Sequence, residues 1–329
     1  MKSSRRKFLH SAAGAAALPV VSCIADAQTY PSRPITIVVT LPAGSAMDAA
    51  GRIVAERMRA SLGQPVIIEN VSGATGSIAA GRVARAAPDG HTILIGTWNS
   101  HVVNGAFFPL PYNALTDFEP ISLLLNVSYL IIATSTVPAD DLTSFIAWLK
   151  AKADKATQAT SGIGSAHHVG GLLFQKLTGT RSQFVPYRSI SQAMQDLVSG
   201  RIDWTMSVAT DAVPQLRSGN IKAYAATAVS RLATASDIPT VDEAGLPGFY
   251  LSNWSGIWAP KGTPKLIIAR LNAAIVDALG DPGVRQRLAD IGQEIFPPEQ
   301  QMPEALGAFQ RAEIDKWWPI IKAAGIKAE

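Results

Sequence analysis

The sequence predicts an α/β protein made of two lobes, each a sheet flanked by helices. Three observations predict it. Residues 35–40 (Ile-Thr-Ile-Val-Val-Thr) are a β-branched run that reads as a strand buried on both faces. After a short Pro/Gly turn, Ala50, Val54, Met58 and Leu62 recur every fourth residue, which is one face of a helix. The same order returns later, where the small-residue turn 160–168 opens a helix over 169–178, so strands and helices alternate in two blocks of similar size.

The 329 residues exceed one typical domain and suggest two. With 47% hydrophobic and 16% charged residues, a sizeable core forms and disorder is excluded. Residues 1–27 read as a leader: Ser4-Arg5-Arg6-Lys7-Phe8-Leu9 is a twin-arginine pattern, and the apolar run 11–21 is too short to span a bilayer. Ala25-Asp26-Ala27 fits a cleavage site, so the mature chain is expected to begin at Gln28 in the periplasm. Val20-Val21-Ser22-Cys23 fits a lipoprotein box instead, which would leave Cys23 as a lipid anchor. Four of the cations and one carboxylate lie in the leader, so the net +4 of the whole chain falls to +1 after removal, and nothing basic remains to attract nucleic acid. Cys23 is the only cysteine, so the mature part has no disulfide and no thiol chemistry.

Further elements follow in order. Residues 66–69 and 92–96 read as strands, with a small-residue helix up to Ala86 between them and a turn at Pro88-Asp89-Gly90. The segment 107–112 reads as loop and short helix. Residues 130–133 are a strand, and 141–152 a helix with Leu142, Phe145, Ile146 and Leu149 on one face. Residues 184–188 form a short strand and turn, 190–199 a helix, 202–208 and 223–227 strands, and 254–259 the last strand. Residues 264–279, 282–291 and 303–325 are helical. Crossings near residues 129 and 251 give lobe 1 as 28–128 plus 252–329 and lobe 2 as 129–251. A helix N-terminus opening from a small-residue turn presents free N–H groups and a positive dipole end, so each lobe offers a seat for an anion. An ordinary βα connection without a ligand would read the same.

Several segments carry a resemblance. They are residues 30–35 (Tyr-Pro-Ser-Arg-Pro-Ile), 62–70, 88–92 (Pro-Asp-Gly-His-Thr), 110–112, 117–118, 164–168 (Gly-Ser-Ala-His-His), 185–188 (Val-Pro-Tyr-Arg), 238–245, 259–264 and 325–327. In order and at these spacings they resemble the Bug proteins, the extracytoplasmic solute-binding receptors of tripartite tricarboxylate transporters. The resemblance implies the two-lobed periplasmic-binding-protein (Venus flytrap) fold. It implies a small carboxylate ligand held by two loops and bridging water, and membrane transporter components as partners. Here the loops are 41–48 and 161–168. Three departures stand out: Leu41 replaces an aromatic and Ser45 a glycine of the first loop, Ser207 stands where many members carry an Asp, and Ser189 replaces a glycine. The absent Asp argues against an amino-acid ligand.

The expected ligand contacts are Ala43, Gly44, Ser45 and Asp48 in the first loop, and Ser161, Gly164, Ser165 and His168 in the second. Asp48 and Ser165 read equally as helix caps. Thr97, Trp98 and Asn99 end a strand at its carboxyl edge, where open α/β sheets bind ligands; Trp98 is either a wall for a flat ligand or core packing. Arg188 offers a bidentate fork for a far carboxylate, or a surface ion pair. Tyr187 and Ser207 complete the set by resemblance. His167 and His168 are adjacent, point in different directions and have no carboxylate at ligand spacing, so neither a metal nor any cofactor is expected. A monomer is expected. A solute sensor feeding a signalling receptor would share this sequence, whereas a serine hydrolase using Ser165, His168 and Asp211 lacks a Gly-x-Ser-x-Gly elbow.

Overall fold

The computed structural model describes residues 30–325. The leader, Cys23, Gln28 and the match at Ile326-Lys327 lie outside them. The elements run β1 (Ile35–Val39), α1 (Ala46–Leu62), β2 (Val66–Asn70), α2 (Ser77–Ala84), β3 (Thr92–Thr97), α3 (Asn104–Phe107), β4 (Phe118–Asn126), β5 (Tyr129–Thr134), α4 (Leu142–Lys152) and β6 (Thr157–Thr160). They continue with α5 (Ala166–Thr178), β7 (Gln183–Pro186), α6 (Ile190–Val198), β8 (Trp204–Val208), α7 (Ala209–Arg217), β9 (Ile221–Ala226), β10 (Ser255–Pro260), α8 (Lys265–Gly280), α9 (Pro282–Asp290), β11 (Glu294–Ile295) and α10 (Pro303–Ala323). One sheet has the order β11-β4-β10-β3-β1-β2 and the other β7-β6-β8-β5-β9. The expected pair of sheets, each flanked by helices, is present.

β1 is buried on both faces, with Ile35, Ile37, Val38 and Val39 excluded from solvent. That is why its sequence does not alternate. α1 buries Ala50, Val54, Met58 and Leu62 as the fourfold spacing predicts, together with Ile53, against the β1 face and α8. It stops at Gly63, which holds φ +70° and returns its N–H to Arg59 O at 3.0 Å.

Strand directions position everything else. β1, β2 and β3 are parallel, while β10 is antiparallel to both β3 and β4, so the carboxyl ends of β3 and β4 share one edge. In the second sheet β6 is parallel to β7 and β8, and β5 is antiparallel to β8, so the start of β5 lies at their carboxyl edge. Only Val127 and Ser128 separate β4 from β5. The chain therefore passes directly from the carboxyl edge of one sheet to that of the other. The return strand crosses beside it: Ser128 bridges Ser252, and Asn253 N donates to Val127 O at 2.9 Å.

α10 covers this junction. Trp98, Trp254, Trp258 and Trp317 are buried there, with Trp98 edge-on to Trp317 at 5.3 Å. One carboxylate oxygen of Glu313 accepts from both Trp254 Nε1 (3.1 Å) and Trp317 Nε1 (3.0 Å). Trp318 Nε1 donates to Val102 O at 2.8 Å. Trp317 and Trp318 thus serve helix packing.

Four elements differ from the sequence expectation. β4, β6, α7 and β11 occupy stretches read as connections. β4 carries Glu119 and Pro120, β6 is Thr-Gln-Ala-Thr, and α7 contains Pro214. Each breaks the apolar pattern, yet Gln158 in β6 is fully buried because its Nε2 donates to His167 O at 2.9 Å. The helix expected from 169 starts at 166, and the strand expected over 223–227 spans 221–226.

His101 is enclosed here, stacked on Trp258 at 3.8 Å, with Nδ1 3.0 Å from Ser100 Oγ. Burial holds its pKa down at about 3, from an ordinary 6.5. The unfolded chain accepts a proton that the folded chain refuses. Stability is therefore complete above pH 6.5 and falls with pH below it, by up to about 1.4 kcal/mol per pH unit for this histidine. Denaturant titrations between pH 6 and 4 will show that slope, and His101→Asn will reduce it by about that amount. An unchanged slope would refute the burial argument.

Candidate functional site

Two turns begin the helices at the facing carboxyl edges, and they share one geometry. In the first, Gly44 has φ +81° and Ser45 caps α1, its Oγ accepting from Asp48 N at 3.2 Å. The Asp48 carboxylate reaches back to accept from Gly44 N at 2.9 Å. In the second, Gly164 has φ +77° and Ser165 caps α5, its Oγ accepting from His168 N at 3.3 Å. His168 Nδ1 accepts from Gly164 N at 3.2 Å. Positive φ favours glycine at both positions. In each turn the side chain four residues on locks the glycine amide. Ser45 N donates to Pro42 O and Ser165 N to Gly162 O. What remains at each helix start is the next two amides, of Ala46 and Met47, and of Ala166 and His167.

The electrostatics differ. Asp48 is buried, its other oxygen is 3.0 Å from Arg52, and the Gly44 amide holds its carboxyl below the usual range. A negative charge thus already sits at the positive end of α1. At α5 the corresponding residue is His168, whose imidazole is held neutral by burial. With Nδ1 accepting from Gly164, the remaining proton is on Nε2. His167 is likewise pushed down to about 4 by burial, and its Nδ1 meets Ser161 Oγ at 2.9 Å. The start of α5 therefore carries no anion of its own.

The two edges touch. Asn99 Nδ2 donates to Gly164 O at 3.3 Å, and a Cβ on Gly164 would lie 3.5 Å from the Phe107 ring. Phe107 was not foreseen, since nothing in the local pattern marks it. On the first edge, Gly76 closes against Thr40 and Ser100, and Asn104 Nδ2 donates to Thr75 O (3.1 Å) and Ser77 Oγ (2.9 Å), so the turns after β1, β2 and β3 form one rim. Thr40 Oγ1 is buried in that rim without a partner.

The other candidate residues spread unevenly. Ala43 is exposed in the first turn. Thr97 is buried and exchanges bonds with Ser100 Oγ through both its N–H and its carbonyl. Trp98 is fully buried, so of its two readings the structure displays core packing. Ser207 is buried in β8 with an unpartnered Oγ. Tyr187 continues β7, its N–H donating to Thr160 O (2.8 Å) and its hydroxyl to Asp196 (2.8 Å). Arg188 follows it at the same edge as the α5 turn, exposed and without an ion pair among the described residues. Ser165 Oγ gives its proton to Gly162 O at 2.7 Å, and no imidazole nitrogen accepts it, so the pair with His168 lacks the nucleophile–base contact of a hydrolase.

The chain has clear relatives in sequence and in fold. A model described as "Tripartite tricarboxylate transporter family receptor" matches residues 50–326. The chain is similar to MatC from Rhodopseudomonas palustris, solved with bound malate, at 39% identity and TM-score 0.72, covering 89% of this chain and 100% of that one. It is similar to R. palustris Rpa4515, solved with adipate, at 32% identity and TM-score 0.74, covering 91% and 99%. Protein BugT of Bordetella pertussis is 33% identical over 304 residues, 92% of each chain.

Two variants test the turns. Asp48→Ala will cost about 2 kcal/mol at pH 7, because a charge-assisted bond to Gly44 is lost. Its carboxyl is lowered in the folded state, so the difference from the parent is present above pH 3.8 and vanishes as pH falls through the folded value. Gly164→Ala will cost about 1 kcal/mol by strain at φ +77°, read as a lower thermal midpoint. A midpoint equal to the parent's would contradict the assigned backbone.

Proposed function

The chain belongs to the tripartite tricarboxylate transporter receptor family, and on that premise we propose that it captures a small dicarboxylate lacking an amino group between the two sheets. It performs no chemistry on it. The proposed ligand sits with one carboxylate at the amides of Ala166 and His167 and the other near Arg188. The observation that carries this reading is the start of α5: among the described residues it offers two free amides, a neutral imidazole, no acidic residue in its first turn, and an unpaired guanidinium on the same edge. Asp48 disfavours the charged grip at α1, so the first turn is proposed to act through Ser45 and bridging water. Relatives solved with malate and with adipate support a dicarboxylate. The burial of Trp98 removes the support for an aromatic ligand.

The lobes of this proposal are 28–128 with 252–329, and 129–251, moving about the paired crossings at Ser128 and Ser252. A ligand that bridges the edges binds the closed arrangement better and shifts the population toward it. Delivery to membrane transporter components, after export by the leader, completes the proposal.

Calorimetric titration against C4 to C6 dicarboxylates, matched monocarboxylates and amino acids tests it. Dicarboxylates are expected to bind one per chain, and Arg188→Ala to weaken them at least tenfold, about 1.4 kcal/mol, while affecting monocarboxylates less. Binding of amino acids alone, or dicarboxylate affinity indifferent to Arg188, would overturn it.

A further inference from the structure

A cavity of about 500 Å³ lies at the crossings on the side of β11 and α10. It draws walls from both sheets, since Asn126 ends β4, Val229 follows β9 and Glu294 opens β11. Its size falls in the range of small-molecule sites. Its polar groups are unevenly served. Glu294 Oε2 receives only long contacts, from Asn126 Nδ2 at 3.3 Å and Ser128 Oγ at 3.5 Å. No hydrogen bond reaches its Oε1, and no cation lies within ion-pair distance among the described residues. Asn126 Oδ1 is buried without a donor. Lys316, which also lines the cavity, is engaged elsewhere: its Nζ donates to Tyr250 O at 2.7 Å and lies 4.7 Å above the Trp317 ring, outside ion-pair distance of Glu294. The other carboxylate, Glu313, already accepts from two indoles.

Glu294 thus stands half-buried without a cation partner among the described residues, beside the aromatic walls Phe296 and Phe309. An anion beside aromatic faces suits a cation. We propose that this cavity is a second ligand site, distinct from the carboxylate site, that takes a small organic primary ammonium with an apolar body. The ammonium donates to the Glu294 carboxylate, and the apolar part lies on Phe296 and Phe309. Burial raises the Glu294 carboxyl above its ordinary value.

Titration of the protein with phenethylammonium, using 2-phenylethanol and phenylpropionate as matched controls, tests the assignment. The ammonium is expected to bind one per chain, at least tenfold tighter than either control. Glu294→Gln is expected to weaken it at least tenfold. Val229→Arg, at an exposed lining position, places a cation at the mouth and is expected to do the same without disturbing the core. Should Glu294→Gln fail to fold, Val229→Arg carries the test alone. No saturable ammonium binding, equal binding of the alcohol, or affinity unchanged in the folded variants would overturn the proposal.

Discussion

Everything at the facing edges depends on one backbone device: a glycine amide at positive φ, tied to the side chain four residues further on. Gly44 to Asp48 and Gly164 to His168 use it identically. Each turn is closed by its own groups, so its shape is fixed before any ligand arrives, and the ordering cost on binding is small. The device also decides what each turn is free to do. Two amides remain at each helix start, but the locking residue is an anion in one turn and a neutral imidazole in the other. Two turns of one shape therefore carry opposite electrostatic preferences.

The second constraint is topological. With Val127 and Ser128 as the whole of one connection, the two carboxyl edges cannot lie far apart. The crossings pair through Ser128 and Ser252, and the edges meet through Asn99 and Gly164. On another side of the junction Gly292 approaches Thr210 so closely that a Cβ would sit 2.5 Å from its methyl. These contacts tie the two sheets together at more than one place around the junction.

The sequence revealed those parts whose physics is local. The β-branched run of β1, the fourfold spacing of α1 and the Gly-Ser starts of both helices depend on near neighbours alone, and the structure places them there. Elements supported from a distance were hidden. β4 tolerates Glu119 and Pro120 near its start because it pairs with β10 more than 130 residues later, and polar β6 is buried because α5 supplies an acceptor for Gln158. At the site, residue types were legible but partners were not. Trp98 stands at a carboxyl edge as a pocket wall would, yet Trp317, more than 200 residues away, draws it into the core. Phe107 meets Gly164 only through the tertiary fold. Membership of the receptor family was carried by many weak segments in order, each uninformative alone.

A crystal structure grown with a C4 dicarboxylate would show which atoms receive the anion. One carboxylate is expected within hydrogen-bond distance, directly or through one water, of the Ala166 and His167 amides, with the Gly164–His168 bond intact. Ligand held elsewhere, or those amides turned away from it, would contradict the account.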